Sequence, residues 1–127
     1  MRIFILEDDS TRIMKFADAL LHAGHHVDVA SSVEKAKEMW SPPYDLVLLD
    51  HDLREEHYAG NGDGQTGHHF AKWLPDEEQP PSTAVIVHSL NPDGAWNILH
   101  TLEDKGYQVQ RAPFGTILLQ WLSRRPR

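Results

Sequence analysis

Residues 45–52 read Asp45-Leu46-Val47-Leu48-Leu49-Asp50-His51-Asp52, an unbroken apolar run closed by two acids and a histidine. Four apolar residues in succession, bounded by polar ones, suit a strand buried on both faces, as in a parallel sheet covered by helices. Two more runs of the same kind lie at Arg2 to Leu6 and Thr83 to Val87. Weaker ones lie at His26 to Ala30 and near Tyr107 to Gln110.

Between these five runs the apolar residues take helical spacing. The first helix is predicted from Ser10 or Thr11, whose hydroxyls can cap free amides, with Ile13, Phe16, Leu20 and Leu21 facing the sheet and Gly24 stopping it. Ser31 and Glu34 stand in capping-box spacing for a second helix that runs to about Trp40 and is ended by Pro42 and Pro43. A third spans about Gly67 to Leu74 with Phe70, Trp73 and Leu74 on one face. Asn91-Pro92-Asp93 opens a fourth containing Trp96, Ile98, Leu99 and Leu102, and a fifth follows Pro113 with Ile117, Leu118 and Trp121. Five alternations of strand and helix predict an α/β fold with a five-stranded parallel sheet and right-handed crossovers.

The 127 residues are expected to form one domain over 1–127, with a basic tail at about 123–127 that is frayed and solvated. The chain is 40% hydrophobic and 24% charged, which argues against disorder. It has no cysteine, so disulfides, thiolate nucleophiles and cysteine-ligated zinc are excluded. The apolar run after Met1 is too short for a signal peptide or membrane span, and a cytoplasmic protein without membrane contact is expected. A formal charge of −7 repels phosphate backbones and speaks against general nucleic-acid binding.

Open parallel sheets bind ligands beyond the carboxyl ends of their strands, where strand order reverses. In the order 2-1-3-4-5 that point lies between strands one and three, so Glu7-Asp8-Asp9 and Asp50-His51-Asp52 converge on one crevice. Carboxylates this close need protons or a cation to compensate them, and a divalent ion with oxygen ligands is the simplest answer, Mg2+ first and Mn2+ as the alternative. Asp9 has an equal claim as a cap for the first helix. Asp50 has the stronger claim on a site, because it ends an almost wholly apolar strand. The fourth strand adds His88, Ser89 and Asn91, and His88 faces His51 as a second imidazole suited to proton transfer near neutral pH, or to binding a metal. His22, His25, His26 and His100 are expected to be solvated or packed, while His57, His68 and His69 belong to the loop or to the third helix. The long loop from about His51 to Thr66, with Gly60, Gly62 and Gly64, stands where it could cover the crevice.

Together these residues resemble the receiver domains of two-component response regulators, a flavodoxin-like three-layer fold, over essentially the whole chain. Glu7 and Asp8 match the acidic pair, Asp50 the phosphoacceptor, Ser89 the switch residue, and Ala112-Pro113-Phe114 the receiver Lys-Pro-Phe. The lysine position is Ala112, and Arg111, one residue earlier, starts from the opposite face of its strand. "LDHDL", the glycine-rich insertion, "TG" and "VHSLNPDGA" are similar instead to the cyclic-phosphate-processing receiver domains, a family found in the company of RNA-repair genes.

The resemblance and the site chemistry imply a metal-assisted phosphoesterase acting on cyclic or terminal phosphates of nucleotides or RNA ends. In that reading Glu7, Asp8 and Asp50 hold the metal, His51, His88 and Asp50 do the chemistry, and Ser89, Asn91 and Asp52 bind substrate. The competing expectation is a stand-alone atypical receiver, with Asp50 phosphorylated or silent. Trp96 and Trp121 on the last helices would then meet a protein partner or a second copy, although core burial is their first expectation.

Overall fold

In a computed structural model of the chain, residues 1–53, 65–76, 83–89 and 91–112 are described. Five strands, β1 (Arg2–Leu6), β2 (His26–Ala30), β3 (Leu46–Leu49), β4 (Ala84–Val87) and β5 (Gln108–Arg111), form one parallel sheet in the order β2-β1-β3-β4-β5. Four helices are described: α1 (Ser10–Ala23), α2 (Val33–Met39), α3 (Gly67–Trp73) and α4 (Pro92–Asp104). The expected helix after Pro113, with Ile117, Leu118 and Trp121, lies outside the described residues. So do most of the long loop with His57 and its glycines, the basic tail, and the side chain of Leu21.

Alternation along each strand sorts the core into two layers. Ile3, Ile5, Leu46, Leu48 and Ile86 pack with Phe16 and Leu20 of α1 on one face. On the other, Phe4, Leu6, Val47, Leu49, Val85 and Val87 pack with Val33 and Ala36 of α2, Phe70 and Ala71 of α3, and Ala95, Ile98 and Leu102 of α4. Both faces of the three central strands are therefore covered, which is why those strands read as continuous apolar runs.

Several element boundaries differ from the sequence expectation, each for a local reason. α1 begins at Ser10 as expected, and it is Asp9, given an equal claim as cap, whose Oδ1 accepts from Arg12 N at 3.0 Å. Ser32 caps α2 in place of Ser31, its Oγ accepting from Lys35 N at 3.2 Å, while Ser31 Oγ receives Lys35 Nζ instead. The fifth strand starts at Gln108 because Tyr107 still belongs to the turn, its amide bonded to Leu102 O. Trp73 lies half-exposed at the edge, stacked on Phe70, since Phe70 and Leu74 take the inward positions. Trp96 is 62% exposed and packs its ring on His100, while Ala95, Ile98 and Leu102 fill the core-facing stripe of α4. Among the described residues no helix is long and apolar enough to cross a membrane.

Candidate functional site

The hydrogen-bond ladder of the sheet continues one residue past the strands. Glu7 N donates to Ala30 O, Asp50 N to Leu6 O, His88 N to Leu49 O and Ala112 N to Val87 O, at 3.0 to 3.1 Å. Glu7, Asp50, His88 and Ala112 thus form one cross-sheet row at the carboxyl edge. Two residues beyond Ile5, Leu48 and Ile86, this row keeps to the face that carries α1. His51, one residue on from Asp50, lies instead against Gly94 of α4.

On the α1 side the described residues bring together Glu7, Asp50 and His88, which offer ligand atoms within 4.8 Å of one another. All three are buried. Glu7 accepts from His88 Nε2 at 2.7 Å through Oε2, and from Asp9 N, Arg12 Nε and Arg12 Nη2 at 2.9 to 3.2 Å through Oε1. Burial works to raise its pKa, but the hydrogen bond and charge of His88, the Asp9 amide and Arg12 outweigh it and hold Glu7 below the ordinary carboxylate value. The Nδ1 atom of His88 is buried without a hydrogen-bond partner among the described residues, and Phe16 meets the ring edge-on at 5.5 Å.

Asp50 is compensated far less. Its contact with the guanidinium, Oδ2 to Arg12 Nη2, is 3.5 Å long. Burial, and then the charge of Glu7, push its pKa up to about 6 against the pull of His88 and Arg12. Asp8 is buried at the same strand end but stands outside the group of three.

On the opposite side His51 Nδ1 lies 2.8 Å from Asp52 Oδ1. Asn91 Nδ2 donates to the same carboxylate oxygen at 3.3 Å, while its Oδ1 accepts from Gly94 N and caps α4. Ser89 Oγ accepts from Asn91 N at 3.0 Å. A Cβ on Gly94 would overlap the His51 ring, and one on Gly67 would overlap the carbonyl oxygen of Asp50. The two glycines let α3 and α4 close against the end of β3. His51 and His88 are not bonded to each other: His88 spends Nε2 on Glu7, and its other nitrogen has no partner among the described residues.

Arg12 was absent from the sequence expectation. It sits in the first turn of α1, where a cation opposes the helix dipole, and that local conflict was the available signal. Two buried acids outweigh the conflict. Arg111, exposed, turns away from the row of three and donates to Ser89 O at 3.3 Å, while Ala112 is buried in the α1-side cluster and brings no charge. Of the remaining histidines, His68 bonds Thr101 Oγ1, His69 Nδ1 accepts from Thr66 N, His25 contacts the N-terminal amine and His26 pairs with Asp28.

Two carboxylates and an imidazole form a mixed oxygen and nitrogen donor set. With Asp50 under-compensated, the set fits a divalent ion, and the imidazole inclines it toward a transition ion such as Mn2+ over Mg2+.

The model of the family described as cyclic-phosphate processing receiver domain matches residues 3–104. The chain belongs to that family. A search of curated proteins found no match. Solved structures similar to this receiver domain include a sensor protein from Polaromonas sp. JS666, 20% identical at TM-score 0.63, covering 93% of this chain and 90% of that one. A CheY-like response regulator receiver domain protein from Methanospirillum hungatei JF-1 is 17% identical at TM-score 0.62, covering 92% and 86%. The Mn(2+)-bound form of the response regulator Rcp1 is 15% identical at TM-score 0.57, covering 99% of each chain. At these identities the likeness shows the flavodoxin-like receiver fold alone.

Proposed function

We propose that this receiver domain is a metal-assisted phosphoesterase acting on cyclic or terminal phosphates of nucleotides or RNA ends. The observation that carries the reading is the pairing of a buried metal-type donor set, Glu7, Asp50 and His88, with an oriented imidazole, His51 on Asp52, at one sheet edge. Glu7, Asp50 and His88 would hold the ion, with Asp8 the neighbouring carboxylate. A divalent ion supplies charge neutralisation for the phosphate and a more acidic water.

The proton work falls to His51. With Asp52 ionised, the Nδ1–H of His51 donates to it, and Nε2, which has no partner among the described residues, is the atom to accept a proton. His51 takes a proton from the attacking water as the new P–O bond forms. It returns that proton to the sugar oxygen as the ring P–O bond breaks. Asn91 fixes Asp52 through its amide. Ser89, held at the same edge, is the proposed phosphate contact. His88 is positioned by Glu7, and its proposed share in catalysis runs through the ion.

A second reading keeps Asp50 as a phosphoacceptor, favoured by its place at the carboxyl end of β3 in a receiver topology. Ala112 in the lysine position weighs against it. The test is a panel of 2′,3′-cyclic nucleotides and terminal phosphates with Mn2+ or Mg2+, set beside acetyl phosphate labelling of the same protein. Turnover that depends on metal supports the phosphoesterase. Stable stoichiometric labelling of Asp50 with no turnover overturns it.

A further inference from the structure

We propose that Arg12 is both the resting counter-ion of the Glu7–Asp50 pair and the residue that grips the substrate phosphate once a divalent ion takes those carboxylates. The inference deepens the phosphoesterase reading and rests on it for the phosphate, but the competition between Arg12 and metal stands on geometry alone. Arg12 places Nε and Nη2 on Glu7 Oε1, and Nη2 also reaches Asp50 Oδ2. An ion bound by Glu7, Asp50 and His88 would draw on the same two carboxylates that the guanidinium now neutralises, and two cations held against them repel each other.

The side chain of Arg12 is 28% exposed, so it enters the site from the solvent side over the first turn of α1. Released from the acids, it needs to move little to meet an anion at the mouth of the crevice. A planar guanidinium presents several donors in fork geometry, which matches two oxygens of one phosphate. Among the described residues, Arg111 near this edge is drawn to Ser89 O, and Ala112 has no charge to offer.

The experiment measures Mn2+ and inorganic phosphate binding by calorimetry at pH 8, where Asp50 is ionised. The samples are wild type, Arg12→Gln and Arg12→Lys, each checked for fold by circular dichroism. In Arg12→Gln, Mn2+ affinity should rise about tenfold, because a competing charge is gone, and phosphate affinity at saturating Mn2+ should fall at least about tenfold. Arg12→Lys keeps the charge and should leave Mn2+ affinity near wild type while weakening phosphate. Unchanged or weaker Mn2+ binding in Arg12→Gln, phosphate binding equal to wild type, or a Mn2+ gain in Arg12→Lys as large as in Arg12→Gln would each overturn the assignment. If the opposite shifts appear but wild type turns over no phosphate ester, the Arg12 assignment stands and the phosphoesterase reading fails. A wild type that binds neither ion overturns both.

Discussion

His88 Nε2 and Glu7 Oε2 lie 2.7 Å apart, and neither side chain reaches solvent. Breaking a buried pair by removing one partner leaves the other desolvated and unsatisfied, a loss of about 3–5 kcal/mol. Glu7→Ala strands both His88 and Arg12, so urea unfolding should show a stability loss of that size. A loss under ~1 kcal/mol would mean that the pair is not a structural element of the sheet edge.

Asp50 carries the opposite sign. Its folded pKa of about 6 lies above the ordinary value of 3.8, so between those values the native state binds more protons than the unfolded one. Stability from this group is therefore greatest in acid and falls as pH rises toward 6. Asp50→Asn removes the penalty, and thermal melts should place the variant several degrees above wild type at pH 8 and close to it near pH 4, for ~2–3 kcal/mol of relief. Equal melting curves at pH 8 would show that Arg12 already neutralises Asp50.

The two glycines at the end of β3 should separate in their effects. At Gly67 a Cβ meets backbone, the Asp50 carbonyl, and Gly67→Ala should lower stability by about 1–3 kcal/mol as α3 is pushed away. At Gly94 it meets the His51 ring, a side chain that can turn aside. Gly94→Ala should keep Mn2+ binding while displacing His51 from Asp52, visible as changed His51 ring resonances by NMR.

The sheet, its order and the row of site residues were legible because burial on both faces writes itself as apolar runs, and because the strand ends break abruptly into Asp, Glu and His. That reading put Glu7, Asp8 and Asp50 on a metal and His88 in proton transfer, whereas the group within reach of one ion is Glu7, Asp50 and His88. What the runs do not encode is which face each group takes beyond the last apolar residue. The two histidines read as one pair take different partners, His88 bonding Glu7 on the α1 side and His51 bonding Asp52 against α4. Arg12 was hidden because a helix surface cation is ordinarily solvated. Its contacts to Glu7 and Asp50 span five and thirty-eight residues and exist only after α1 packs on the sheet. The shifts of cap from Ser31 to Ser32 and of strand start from Tyr107 to Gln108 are one-residue choices settled by which amide finds an acceptor.

Metal should stabilise the folded chain, because the donor set exists only when the three strand ends are side by side. Millimolar Mn2+ is expected to raise the wild-type melting temperature and to leave that of Asp50→Asn nearly unchanged. An equal rise in both would place the ion elsewhere.

The most direct test of the phosphoesterase reading is the rate of ring opening of a nucleoside 2′,3′-cyclic phosphate at saturating Mn2+, compared between wild type and His51→Ala. Wild type should show metal-dependent opening, and His51→Ala a fall of about a hundredfold or more, the scale of a lost general base, with Mn2+ binding retained. Opening at equal rates in the two proteins, or none in a wild type that binds Mn2+, would contradict it.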